Sequence, residues 1–185
     1  MSRVDFGLQI EPQYGFSYED IRGIAAESEK RGFESLWVSD HFFLSPELAE
    51  TPCLECWTTL AALARDTSRL RLGAMVASQS YRNPALAAKM AASVDNLSSG
   101  RLNFGIGAGW KEVEYRAYGY PFPSPDARIR QLNESLEIAK RMRARRMRGL
   151  HTMASTTTLG MPSATRSLSR SLIRPSGSVA PAASP

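Results

Sequence analysis

NLSSGRLNFGIGAGW, residues 96–110, is the stretch on which the fold turns. A helix is predicted to stop at Ser98-Ser99-Gly100. A short strand follows with Leu102, Phe104 and Ile106 in alternation, and it ends in Gly105, Gly107 and Gly109. Glycines at the C-terminal end of a strand leave the backbone bare, which serves either a tight turn or the close approach of a ligand. In sheets built of βα units, ligands bind at those ends. Spacing alone leaves both readings open. A dinucleotide-binding G-x-G-x-x-G fits less well, because the third glycine comes one residue early and no helix is predicted to open on it.

Upstream of this stretch the same alternation of strand and helix repeats. Val4, Phe6, Leu8 and Ile10 have the period of a half-buried strand. Ser17 with Asp20 makes a capping box for a helix whose face is Ile21, Ile24, Ala25 and Ser28 and which ends by Gly32. Leu36-Trp37-Val38 reads as a strand covered on both faces. A second helix carries Trp57, Leu60, Ala61, Leu63 and Ala64, and residues 70–76 form the third strand. Asn83-Pro84, an N-cap followed by proline at the first helical position, opens a third helix that runs to Leu97. Downstream, residues 111–123 read as a long aromatic- and proline-rich loop, and Ser124-Pro125 opens a fourth helix. Strand–helix four times over is α/β: a parallel sheet with right-handed crossovers, either doubly wound or the first half of a (β/α)8 barrel.

Charge divides the chain in two. The net charge is +5, yet residues 1–137 carry 14 Lys+Arg against 18 Asp+Glu, a net of −4, while 138–185 carry nine basic residues and no acid. Past Phe122 there is no aromatic residue, and 151–185 are dominated by Ser, Thr, Ala, Pro and Gly, too poor in apolar side chains to fold. The expected organisation is therefore a domain over residues 1–142 and a disordered basic tail over 143–185. The tail, with Arg141, Arg143, Arg145, Arg146 and Arg148, offers one alternative function, nucleic-acid binding. No run of 18 apolar residues and no signal peptide are present, so no membrane partner is expected and the expected location is cytoplasmic.

Three strand ends carry unusual residues: Ser39-Asp40-His41, residues 77–83, and Gly105 to Trp110. In a βα architecture they converge on one face. A histidine beside a carboxylate can hold one tautomer and move a proton near neutral pH, although adjacent residues on a strand point apart and a lone histidine is often structural. Cys53 and Cys56 form a CxxC with no second pair, so no metal site is predicted and a redox role finds little support.

The combination of WVSDHF at 37–42, Leu72-Gly73, YRNPA at 81–85, LSSGR at 97–101, GIGAGW at 105–110 and YRAYG at 115–119 resembles the bacterial luciferase-like monooxygenase family, nearest its deazaflavin-dependent oxidoreductases. The resemblance covers about residues 4–142, the N-terminal half of such a protein. It implies a (β/α)8 barrel that holds coenzyme F-420 or FMN at the strand ends and acts on a small organic substrate by hydride transfer or monooxygenation. By resemblance, His41 is the catalytic, proton-handling residue and Asp40 lies beside it at the cofactor. Met75, Val76, Ala77 and Ser78 back the ring, often through a non-proline cis peptide, and Gly107, Ala108 and Gly109 lie against it. Lys111 stands where many members have Asn, which removes one expected cofactor hydrogen bond.

The loss of acids and aromatics past residue 142 leads to the further expectation of a truncated or frame-shifted, inactive chain. A non-catalytic half-barrel pairing its open edges with a second copy, as a homodimer, is the remaining alternative.

Overall fold

The computed structural model describes residues 4–147. The expectations of a disordered or frame-shifted tail, and of nucleic-acid binding through it, fall outside the described residues. The elements are β1 (Gly7–Ile10), α1 (Tyr18–Lys30), β2 (Ser35–Val38), α2 (Cys56–Asp66), β3 (Arg71–Ala74), β4 (Ala77–Ser78), α3 (Pro84–Leu97), β5 (Leu102–Asn103), β6 (Ile106–Gly107), α4 (Glu112–Ala117) and α5 (Pro125–Met147). β1, β2, β3 and β5 pair in that order, all parallel, and β4 pairs parallel with β6. These are four successive βα units, the plan of half a (β/α)8 barrel.

Local chemistry fixes the helix starts. The Ser17 side chain accepts from the Asp20 N–H while the Asp20 carboxylate accepts from the Ser17 N–H, closing the capping box at α1. Asn83 Oδ1 accepts from the Ala85 N–H at 2.9 Å, with Pro84 in the first turn of α3. The faces so set up bury Ile21 and Ala25 of α1 and Trp57, Leu60 and Leu63 of α2 against Leu36, Val38, Leu72 and Ala74 of the sheet.

The opposite face of the sheet is only half-buried, which corrects the expectation that β2 is covered on both sides. Trp37 lies there over bare backbone: a Cβ at Gly73 would come within 2.6 Å of its ring, and one at Gly7 within 3.1 Å of its indole nitrogen. That nitrogen donates to Ser35 Oγ at 2.9 Å. β1 also starts later than its alternation suggests, at Gly7, leaving Val4 and Phe6 exposed at the sheet edge.

Two predicted strands are each broken in two. The strand expected over 70–76 stops at Ala74, the Met75–Val76 peptide is cis, and pairing resumes at Ala77. Across from it, the strand expected from Leu102 to Ile106 is interrupted at Phe104 and Gly105. The interruptions touch: Ala77 N–H donates to the Gly105 carbonyl at 3.1 Å, and a Cβ on Gly105 would meet the Ala74 carbonyl oxygen at 2.1 Å. The expected loop over 111–123 contains the six-residue α4. These breaks and this helix shape the C-terminal end of the sheet.

Candidate active site

A cavity of about 450 Å³ opens at the C-terminal ends of the strands, within the size range of small-molecule sites. The three expected strand ends converge on it. Asp40 and His41 come from the end of β2, Met75, Val76, Ala77 and Ser78 from the β3–β4 break, and Gly107, Ala108 and Gly109 from β6. All nine predicted residues line one cavity. Gln9, Tyr81, Trp110 and Lys111 complete the wall.

Asp40 and His41 point to different partners, as neighbours at a strand end should. Asp40 is buried and accepts both terminal nitrogens of Arg82, at 2.7 and 2.8 Å, and the Ser78 N–H at 3.0 Å. Arg82 reaches on to Glu55, whose carboxylate caps α2 through the Trp57 and Thr58 N–H groups. A bidentate pair of this kind fixes geometry as well as charge. Burial alone would lower the Arg82 pKa, but its bonds to Asp40 outweigh it and the guanidinium is held charged. Asp40 thus ties the end of β2 to β4 and the loop before α3; its oxygens serve the Arg82 guanidinium and the Ser78 N–H.

His41 Nδ1 meets Glu114 Oε2 at 2.9 Å. Glu114, from α4, is fully buried and collects five donors: His41, the Phe42 and Phe43 N–H groups, Tyr81 Oη at 2.8 Å and Lys111 Nζ at 3.1 Å. Burial pushes its pKa up, yet the hydrogen bonds from His41, Phe42 and Tyr81 outweigh this and hold it down at about 2. A carboxylate only accepts, so His41 carries its neutral-ring proton on Nδ1. Nε2 has no partner among the described residues and is the nitrogen available to a ligand. Trp110, 71% exposed, packs edge-on against the imidazole with ring centroids 5.7 Å apart.

Lys111 takes a place that the resemblance treats as a lost cofactor contact. Its ammonium donates to the Phe43 and Leu44 carbonyls and to Glu114, so it straps the β2 loop to α4.

The glycines have a reason different from the one their bareness suggested. A Cβ on Gly107 would meet Val76 Cγ2 at 2.8 Å, and one on Gly109 would fall 1.8 Å from Tyr115 Oη. Gly109 also sits at φ +77°, where side chains are disfavoured. Their empty side is filled by the protein's own Val76 and Tyr115, and Tyr115 Oη in turn bonds Ser78 Oγ at 2.8 Å. They line the cavity with backbone edges.

Glu114, Tyr81 and Arg82 are the site residues that sequence reasoning passes over. YRNP lies within a resembling motif and Glu114 falls between two of them, but nothing local marks Glu114 as buried or as a partner 73 positions from His41. The cysteines, by contrast, gain no reactive character. The Cys53 thiol is pushed up to about 11 by burial and the Glu114 charge, and Cys56, on the Val38 carbonyl, is raised well above its ordinary value by burial and Asp40.

The cavity suits a planar ring. The Met75 and Val76 side chains are exposed at its wall, 41% and 49%, beside the edges of β4 and β6, and His41 at the same cavity keeps Nε2 without a partner among the described residues.

Comparison with known proteins agrees. The model of the luciferase-like monooxygenase family matches residues 4–166. An F420-dependent glucose-6-phosphate dehydrogenase of Amycolatopsis mediterranei (strain U-32) is 32% identical over 129 residues, 69% of this chain and 38% of that protein. The 4-hydroxyprotoasukamycin monooxygenase of Streptomyces nodosus subsp. asukaensis is 30% identical over 148 residues, 77% of this chain and 38% of the relative. Among solved structures, the oxygenating constituent of 3,6-diketocamphane monooxygenase from Pseudomonas putida, in complex with FMN, superposes with a TM-score of 0.63 at 23% identity, over 75% of this chain and 39% of that one. The chain spans less than two fifths of the length of each of these proteins. With the fold, the strand-end cavity and a family match that takes in most of its residues, this chain belongs to the luciferase-like monooxygenase family.

Proposed function

We propose that the chain provides the ring-binding wall and the proton-handling residue of a flavin- or deazaflavin-dependent oxidoreductase acting on a small organic substrate. The observation that carries this reading is His41: its Nδ1 is engaged by a buried carboxylate, while its Nε2 is left for a ligand at the cavity formed by three strand ends. The F420-dependent relative supports F-420 as the cofactor, and the resemblance to the wider family supports FMN. Bound there, either group would supply the electron transfer, F-420 by exchanging a hydride with the substrate and taking it up when the substrate is oxidised, reduced FMN by passing electrons to oxygen. Residues 75–78 and 107–109 would hold the ring, with Met75 and Val76 excluding water from one of its faces. His41 Nε2 would exchange the proton that accompanies hydride removal from, or oxygen insertion into, the substrate. Asp40 and Arg82 keep Ser78 in place, and Glu114 keeps the imidazole in place.

Titrating the purified full chain with F-420 and with FMN, followed by cofactor absorbance and fluorescence, tests this. One of the two is expected to bind in the micromolar range, with His41→Gln binding it within about threefold. Absence of binding of either at high micromolar concentration overturns the reading.

A further inference from the structure

We propose that Glu114 sets the direction in which His41 passes a proton, by dictating which ring nitrogen faces the cavity bare. The inference rests on the reading of His41 given above.

The five donors around Glu114 are not shared evenly. Oε1 faces the Phe42 N–H at 2.9 Å, the Phe43 N–H at 3.3 Å and the Lys111 ammonium at 3.1 Å. All three are obligate donors with no capacity to accept. Oε2 faces His41 Nδ1 and Tyr81 Oη, at 2.9 and 2.8 Å. Each of those groups can donate or accept. The carboxylate therefore leaves His41 one neutral form, with hydrogen on Nδ1 and a lone pair on Nε2. A proton leaving a substrate hydroxyl, with its O–H bond breaking and the electron pair staying on oxygen, is received at Nε2. The resulting imidazolium lies against the Glu114 carboxylate. Glu114 is thus a positioning residue: it makes His41 an acceptor toward the cavity.

The uneven sharing makes the effect of one substitution calculable. In Glu114→Gln the three obligate donors hold the amide oxygen at the Oε1 position, which places the amide NH2 at the Oε2 position, facing His41 Nδ1 and Tyr81 Oη. The amide then donates to Nδ1, and the ring must carry its hydrogen on Nε2. A change of one atom turns His41 from acceptor to donor toward the cavity without removing its neighbour.

Long-range proton–nitrogen correlation on the 15N-labelled full chain, at a pH where the ring is neutral, reads the tautomer directly and needs no cofactor. The His41 signals are identified against those of His151 by their loss in His41→Gln. In the unsubstituted chain Nδ1 is expected to show the protonated-type nitrogen shift and Nε2 the unprotonated type. In Glu114→Gln the two are expected to exchange, and in Tyr81→Phe they stay as they were, because Tyr81 only shares Oε2. An Nε2–H ring in the unsubstituted chain overturns the proposal, and so does an unswapped ring in folded Glu114→Gln. Should Glu114→Gln fail to fold, the unsubstituted chain and Tyr81→Phe still decide it: Nδ1–H in both supports it, Nε2–H in either sinks it. A chain that shows Nδ1–H yet binds neither F-420 nor FMN would refute the functional reading and leave the Glu114–His41 assignment standing.

Discussion

At the N-terminal ends of the strands Arg101 donates five hydrogen bonds, to the carbonyls of Ser98, Ala64, Thr67 and Leu70 and to Thr67 Oγ1. At the C-terminal ends Glu114 accepts five. Both groups knit segments distant in sequence, and both use their full capacity. They differ in what the partners have left. The acceptors of Arg101 are backbone carbonyls and a hydroxyl at the ends of α2 and α3, and no reactive group results. Among the donors to Glu114 is a histidine whose second nitrogen remains free. The same saturation of a charged group holds the fold at one end of the sheet and prepares chemistry at the other.

The largest effect that would break this contrast is at the structural end. Arg101→Ala strips four carbonyls of their donor and should cost about 3 kcal/mol in urea unfolding, while the folded fraction binds cofactor as before. A loss under about 1 kcal/mol, or a selective loss of binding, would erase the division of labour. Arg101→Lys keeps the charge but not the planar fork and should recover less than half of the loss.

Gly109→Ala sharpens the account of the site wall. The positive φ and the 1.8 Å approach to Tyr115 Oη predict a loss of about 2 kcal/mol without any ligand. Unchanged stability with weakened cofactor binding would return that glycine to the role of ligand clearance.

Acid titration compares the two ends directly. The Glu114 pKa is lowered to about 2, so its stabilisation is fully present above the ordinary carboxylate range and is lost as pH falls through that range toward 2. The loss should be on the order of 2 kcal/mol, and absent in Glu114→Gln. Glu29, at the other end, accepts the Ser68, Arg69 and Leu70 N–H groups; burial opposes their effect, but its pKa is still lowered, so Glu29→Gln should flatten the same slope. Stability that does not change between pH 5 and 2.5 would contradict both.

The smallest effect is a control. Ser17→Ala removes the α1 cap and should cost about 1 kcal/mol in the same unfolding assay, leaving the His41 nitrogen shifts in place.

What was legible in the sequence follows from how local its causes are. Ser17 with Asp20, and Asn83 with Pro84, mark helix starts because the bonds that cap them close within three residues. The apolar run Leu36-Trp37-Val38 marks a strand, although only the Leu36 and Val38 face is fully buried. The breaks at residues 75–76 and 104–105 were not legible, since the apolar pattern runs straight through both and the two interruptions meet only in the folded sheet. Nor was α4: its residues read as loop, and the burial of Glu114 and Tyr115 is set by His41, Tyr81 and Ser78, which only the folded sheet brings near. Lys111 read as a missing ligand contact because its acceptors, the Phe43 and Leu44 carbonyls, lie 68 and 67 positions away.

Trp110 gives the site its own optical reporter. Of the three tryptophans, Trp57 is sealed in the core, Trp37 is half-covered on bare backbone, and Trp110 stands 71% exposed at the cavity with its ring edge-on to His41. Protonating the imidazole, or seating an absorbing ring in the cleft, therefore changes the surroundings of one indole far more than those of the other two. In a chain with Trp37 and Trp57 replaced by phenylalanine, the emission of that single indole would register both the ionisation of His41 and the arrival of a cofactor, without a label attached.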